Sequence, residues 1–226
     1  MKRTRIITLV AVLAVLAAAL LGYDLLRRGS DAASPARGQS DSGAAESASP
    51  SAAGSDAGDS KILIVYFSRT EGVYDGPLDV GHTKVVADFI QARTGADEYE
   101  IVPATDYPTD YQSTTEIAQA EQNEDARPAI ANPLPDVADY DTVFIGAPIW
   151  WGEYPMIVRT FMDGVDLNGK TLVPFTTHEG SGLGTTQSQL AAQYPDATVL
   201  DGLGVRGGEA ESSRPHVDAW LEGLGF

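Results

Sequence analysis

No cysteine occurs in this chain, which excludes disulfides, thiol catalysis and cysteine-ligated zinc or iron–sulfur clusters. A thiol-free sequence also suits an oxidising, extracytoplasmic setting, where stray thiols are a liability. Basic residues are scarce: 15 Lys and Arg stand against 32 Asp and Glu, a formal net charge of −17. That charge argues against nucleic acid and anionic lipid surfaces as partners and would steer a cationic partner towards the molecule. Several catalytic signatures are missing as well. There is no Walker A pattern with its lysine, and no Gly-x-Ser-x-Gly elbow surrounds Ser181, so nothing supports a hydrolase triad with His178. The stretch from Gly180 to Gly184 is one residue short of the dinucleotide fingerprint and follows the fourth strand candidate rather than the first. No spacing of His, Asp and Glu indicates a metal site.

What is present divides sharply along the chain. Residues 6–23 carry no charge. As a helix rising 1.5 Å per residue they would span about 27 Å, close to the ~30 Å hydrocarbon core of a bilayer. Arg27 and Arg28 follow in place of a small-residue cleavage site, so residues 1–28 read as a retained anchor rather than a cleaved signal. Lys2, Arg3 and Arg5 before the span outnumber the two arginines after it, which orients the N-terminus to the cytoplasm and the remainder outside. Residues 29–60 are nearly all Gly, Ala, Ser, Asp and Pro. Such a segment cannot bury enough apolar surface to offset its ordering entropy and reads as a tether of roughly 30 Å reach. Residues 61–226 form one domain, with nine Lys and Arg against 26 Asp and Glu, so the whole net charge belongs to it.

Within that domain short β-branched runs alternate with helical patterns. Strands are expected at 61–67, 98–102, 142–147, 171–176 and 198–200, and helices at 83–94, 111–124, 155–162, 185–194 and 214–224. This alternation predicts an α/β fold, a doubly wound five-stranded parallel sheet of order 2-1-3-4-5 that binds ligands at the carboxyl ends of its strands. Three loops lie at those ends. The first runs from Ser68 to Gly72 and returns through Gly81-His82-Thr83 into a helix, as a phosphate site requires. The second, from Gly146 to Pro155, carries Trp150 and Trp151; if extended there, the two rings face opposite ways, one into the core and one as a stacking wall. The third, Thr176 to Gly184, is rich in accessible backbone amides. Together they suit a ligand with an anionic tail and a planar, polar-edged head. His82 is placed to donate to a phosphate. His178 is either an ordinary hydrogen-bonding histidine or a proton relay, and no catalytic residue is assigned.

Four stretches, Val65-Tyr66-Phe67-Ser68-Arg69, Gly81-His82-Thr83-Lys84-Val85-Val86-Ala87, Gly146-Ala-Pro-Ile-Trp-Trp-Gly152 and Gly180-Ser-Gly-Leu-Gly184, occur in an order that resembles the flavodoxin-like family. The likeness covers residues 61–226 and is strongest to its short-chain bacterial branch with a Trp-Trp loop. It implies a non-covalently bound FMN. By position, Ser68, Thr70, His82 and Thr83 would hold the phosphate. Pro148, Ile149, Trp150 and Trp151 would flank the isoalloxazine, and Thr177, His178, Glu179, Gly180 and Ser181 would meet its polar edge. The family's compact Thr-Gly-Asn-Thr turn is interrupted here by residues 73–80, and His82 stands where Asn is usual. The expected function is an FMN-binding electron-transfer protein, held to the membrane by its N-terminal helix with the domain outside and a redox protein or quinone as partner. The alternative is an NAD(P)H-dependent FMN quinone reductase.

Overall fold

The computed structural model describes residues 61–226; the expected anchor (1–28) and tether (29–60) lie outside them. Among the described residues no helix is long and apolar enough to cross a membrane. Among the described residues six strands and five α-helices follow in the order β1 (Ile62–Tyr66), α1 (His82–Thr94), β2 (Asp97–Glu100), α2 (Tyr111–Asn123), β3 (Thr142–Pro148), α3 (Met156–Gly164), β4 (Thr171–His178), α4 (Thr186–Gln193), β5 (Thr198–Val199), β6 (Leu203–Arg206) and α5 (Arg214–Leu224). A short 3₁₀ helix, Gly207–Ser212, precedes α5. The strands run parallel in the order β2-β1-β3-β4-β5, as the alternation predicted.

The period of two along each strand splits the core into two layers. Leu63, Val65, Phe67, Val143 and Ile145 face Ile157, Val158 and Phe161 of α3 and Leu190 of α4. Ile64, Tyr66, Phe144, Val173 and Phe175 face Val86 and Ile90 of α1 and Val217 and Leu221 of α5. β1 and β3 are buried on both faces because parallel crossovers cover both sides of the sheet. β2, at the edge, is mostly exposed. α2 begins at Asp110, whose carboxylate accepts the Ser113 N–H at 2.8 Å; this hydrogen bond holds the carboxyl below its usual range.

The sixth strand is a departure from the expected five. β5 pairs only with Thr171 and Leu172, and β6 takes over beside Phe175–His178. Pro174 lies between the two pairings, and without an N–H it cannot donate to a continuous ladder. The edge is therefore filled in two pieces. The second piece brings Arg206 into register with His178, at the carboxyl end of β4.

Candidate functional site

At the carboxyl ends of β1, β3 and β4 lies a cavity of about 700 Å³, within the range of small-molecule and cofactor sites. Eleven of the expected residues line it: His82, Thr83, Pro148, Ile149, Trp150, Trp151, Thr177, His178, Glu179, Gly180 and Ser181. Ser68 and Thr70 do not; they border a smaller neighbouring cavity of about 400 Å³, and Arg69 borders both.

The phosphate-type loop is built on α1. Gly81 is the residue before the helix and offers no side-chain cap. A Cβ there would fall 2.3 Å from Ser68 Oγ and 2.5 Å from the Arg69 carbonyl oxygen, so only glycine lets the two ends of the loop meet. Ser68 Oγ accepts the Lys84 N–H at 3.1 Å, and the Gly81 carbonyl accepts that of Val85. Among the described residues the His82 and Thr83 N–H groups have no acceptor, as expected of a helix's first turn. The Thr83 hydroxyl instead pairs with that of Thr177 at 2.8 Å, both side chains buried. Arg69 stands at the border of the two cavities. Its Nη2 donates to the Pro108 carbonyl at 2.7 Å, while Nη1 is buried without a partner. Burial lowers its pKa, although a guanidinium stays charged. Orphaned N–H donors and a cationic side chain fit an anion at this end of the cavity.

Opposing charge is present too. Asp75, His82 and Glu179 each bring one ligand-type atom within 4.8 Å of the others, although the sequence spacing indicated no such cluster. Glu179 also faces Arg206 at 3.7 Å, a pairing made possible by β6.

The tryptophan loop is not extended but forms a tight turn. Trp150 and Glu153 exchange both backbone hydrogen bonds at 3.1 Å, and φ is +49° at Trp151 and +88° at Gly152. Positive φ at both central residues is the I′ turn pattern. A left-handed tryptophan costs about 1–2 kcal/mol, and such strain persists only where the surroundings over-determine it. Here they do. Trp151 Nε1 donates to the Thr115 carbonyl at 3.0 Å, and the Glu153 carboxylate accepts from both Gln122 and Gln189. The two indoles still diverge. Trp150 packs edge-on against Tyr107 and Phe67, with centroids at 5.1 and 5.6 Å, whereas Trp151 is 55% exposed at the rim.

The third loop closes on the second. Gly184 has φ +53°, and a Cβ on it would sit 2.2 Å from the Gly152 carbonyl oxygen. That oxygen accepts the Thr185 N–H at 2.9 Å. His178 Nδ1 accepts the Gly180 N–H at 2.9 Å, leaving Nε2 as the ring donor.

Sequence reasoning missed part of the wall: Arg69, Tyr74, Tyr111, Thr114, Thr115 and Gly207. One signal was available. Tyr111 opens an amphipathic helix with an exposed aromatic ring, 47% accessible, where a polar residue would serve.

The model of a flavodoxin family matches residues 61–224. The chain belongs to the flavodoxin family. It is 34% identical to a protein of Bacteroides eggerthii DSM 20697 assigned as a flavoprotein, over 74% of this chain and 99% of that one, with a TM-score of 0.60. A similarly assigned protein of Bacteroides uniformis ATCC 8492 is 30% identical over 72% and 98%, also at 0.60. The flavoprotein of Lactobacillus acidophilus NCFM, solved in complex with FMN, is 23% identical over 72% and 99%, at 0.51, and speaks to the fold. No curated protein matches the chain.

Proposed function

We propose that the cavity holds FMN and that the chain is an electron-transfer flavoprotein tethered to a membrane, its folded domain on the extracytoplasmic side. The observation that carries this reading is the convergence of a helix N-terminus with free N–H groups, an indole pair and an amide-rich loop on one cofactor-sized cavity. Support comes from the family, and from a structure of the same fold that is an FMN complex. When bound, the flavin supplies one- or two-electron redox chemistry. The protein's part is to hold and orient it. His82 and Thr83 offer N–H groups to the phosphate, with Ser68 and Thr70 close by. Pro148, Ile149, Trp150 and Trp151 would flank the ring, and the loop from Thr177 to Ser181 would meet its polar edge. The charge-free run at 6–23 and the polar tether support the membrane placement.

Titration of the purified protein with FMN and with riboflavin tests the site. FMN should bind at least about tenfold more tightly, because riboflavin lacks the phosphate that the α1 terminus addresses. Equal affinities would remove α1 from the site. Turnover with NADH or NADPH and a quinone distinguishes the reductase alternative, which a charge of −17 opposes by repelling the nucleotide.

A further inference from the structure

We propose that Asp75, His82 and Glu179 form a site for one divalent transition-metal ion of the zinc type, with an open coordination position that faces the phosphate of FMN. The site itself is argued from these three residues; its tie to the phosphate rests on the FMN reading. The side chains come from three separate segments: the long first loop, the first residue of α1 and the loop after β4. One ligand-type atom from each lies within 4.8 Å of the others. Metal–ligand bonds of about 2.0–2.2 Å put the ligand atoms around one zinc ion at most about 4.4 Å apart. Asp75 and Glu179 are exposed, so rotation of their side chains closes that small difference.

The ligand atoms are available. Among the described residues no ion pair or hydrogen bond engages the Asp75 carboxylate or the His82 ring. Glu179 turns Oε2 to Arg206 at 3.7 Å. Its other oxygen faces His82 across the buried Gly207: a Cβ on that glycine would fall 2.4 Å from Glu179 Oε1 and 2.6 Å from His82 Nδ1. The absence of a side chain at 207 therefore keeps a notch open between an unpaired imidazole nitrogen and a carboxylate oxygen.

Chemistry selects the ion. One imidazole and two carboxylates, in a chain with no thiolate, form a donor set for zinc, whereas magnesium and calcium favour shells of oxygen alone. Three protein ligands leave a fourth tetrahedral position. His82 and Glu179 line the cavity, so that position opens on the cavity side. The same turn of α1 carries the His82 and Thr83 N–H groups that lack acceptors. Two carboxylates so close to the α1 terminus would repel a phosphate arriving there. A dication balances both, and its open position accepts a phosphate oxygen.

The test is calorimetric titration of the full chain, free of metal and flavin, with zinc chloride. One site per chain is expected. Asp75→Asn and His82→Ala should each weaken zinc binding at least about tenfold. Gly207→Ala keeps all three ligands but fills the notch, and should do the same. Magnesium should bind at least about tenfold more weakly than zinc. Saturating zinc should raise FMN affinity at least about tenfold, leave riboflavin affinity unchanged, and have no such effect in Asp75→Asn. No stoichiometric zinc binding, or binding unchanged in any of the three variants, would overturn the site. Equal affinity for magnesium would overturn the class of ion. Zinc binding with no gain in FMN affinity would overturn the tie to the phosphate. A chain that takes up no FMN with or without zinc defeats the flavin reading and that tie together, while the zinc titrations of the variants still decide the metal site.

Discussion

Gly184→Ala probes the contact that joins two of the three cavity loops. Two costs arise. The residue sits at φ +53°, and a left-handed alanine costs about 1–2 kcal/mol. The new methyl would also lie 2.2 Å from the Gly152 carbonyl oxygen, a backbone atom that cannot swing aside. Relief of such overpacking costs about 1–3 kcal/mol, and displacing Gly152 endangers its bond from the Thr185 N–H, worth about 0.5–1.5 kcal/mol. The total is about 2.5–6.5 kcal/mol, a large share of the roughly 5–15 typical of a domain. Gly182→Ala is the matched control. Its φ is +58°, but nothing lies within 4 Å of the added Cβ, so only the first cost of about 1–2 kcal/mol applies. Urea unfolding followed by tryptophan fluorescence measures both variants. The difference between them should be about 1.5–4.5 kcal/mol. If the two unfold at the same denaturant concentration, the close approach of these loops is refuted.

Other changes test separate parts of the structure. Thr83→Val removes a buried hydroxyl that pairs with Thr177 and leaves the Thr177 hydroxyl unpaired, which should cost about 1–3 kcal/mol of stability; urea unfolding of the variant checks this. Tyr154→Phe deletes a fully buried hydroxyl that donates to the Ile145 carbonyl at 3.0 Å and should cost about 0.5–1.5 kcal/mol, seen as a melting point a few degrees lower. Glu121 is pushed by burial above its ordinary value, against the opposing bond from Tyr107. A raised folded-state value contributes stability at pH below the unfolded value near 4.5 and loses it as pH rises through the folded one. Glu121→Gln keeps an acceptor for Tyr107 and should therefore gain on the wild type from acid towards pH 7; parallel stability curves would contradict it. A single cysteine at Ser49→Cys, in a chain with none of its own, should react with a membrane-impermeant maleimide added to intact cells if the tether lies outside.

The framework of the fold was legible because each buried strand announces itself as a continuous apolar run. Ile62–Tyr66 and Thr142–Pro148 needed no tertiary information. β6 was not legible: Leu203–Arg206 is only four residues long and contains a glycine, and it pairs with β4 only beyond Pro174, where the pairing of β5 has ended. The three loops could be placed, since strand ends fix where loops emerge in a parallel sheet. The far wall of the cavity could not be placed. Tyr74 and Tyr111 meet through the path of two irregular connections, which local pattern does not encode. The Trp151 turn was not legible for a related reason: nothing in an indole signals positive φ, and the conformation is held by Thr115, Gln122 and Gln189 from two helices.

The central claim is that the cavity binds FMN, and the visible absorption spectrum of the purified protein, recorded after addition of FMN and exhaustive dialysis, tests it most directly. Flavin bands that survive dialysis, shifted from those of free FMN, are the predicted result. A colourless protein that returns all of the added FMN to the dialysate would contradict the account, leaving a flavodoxin fold without its redox function.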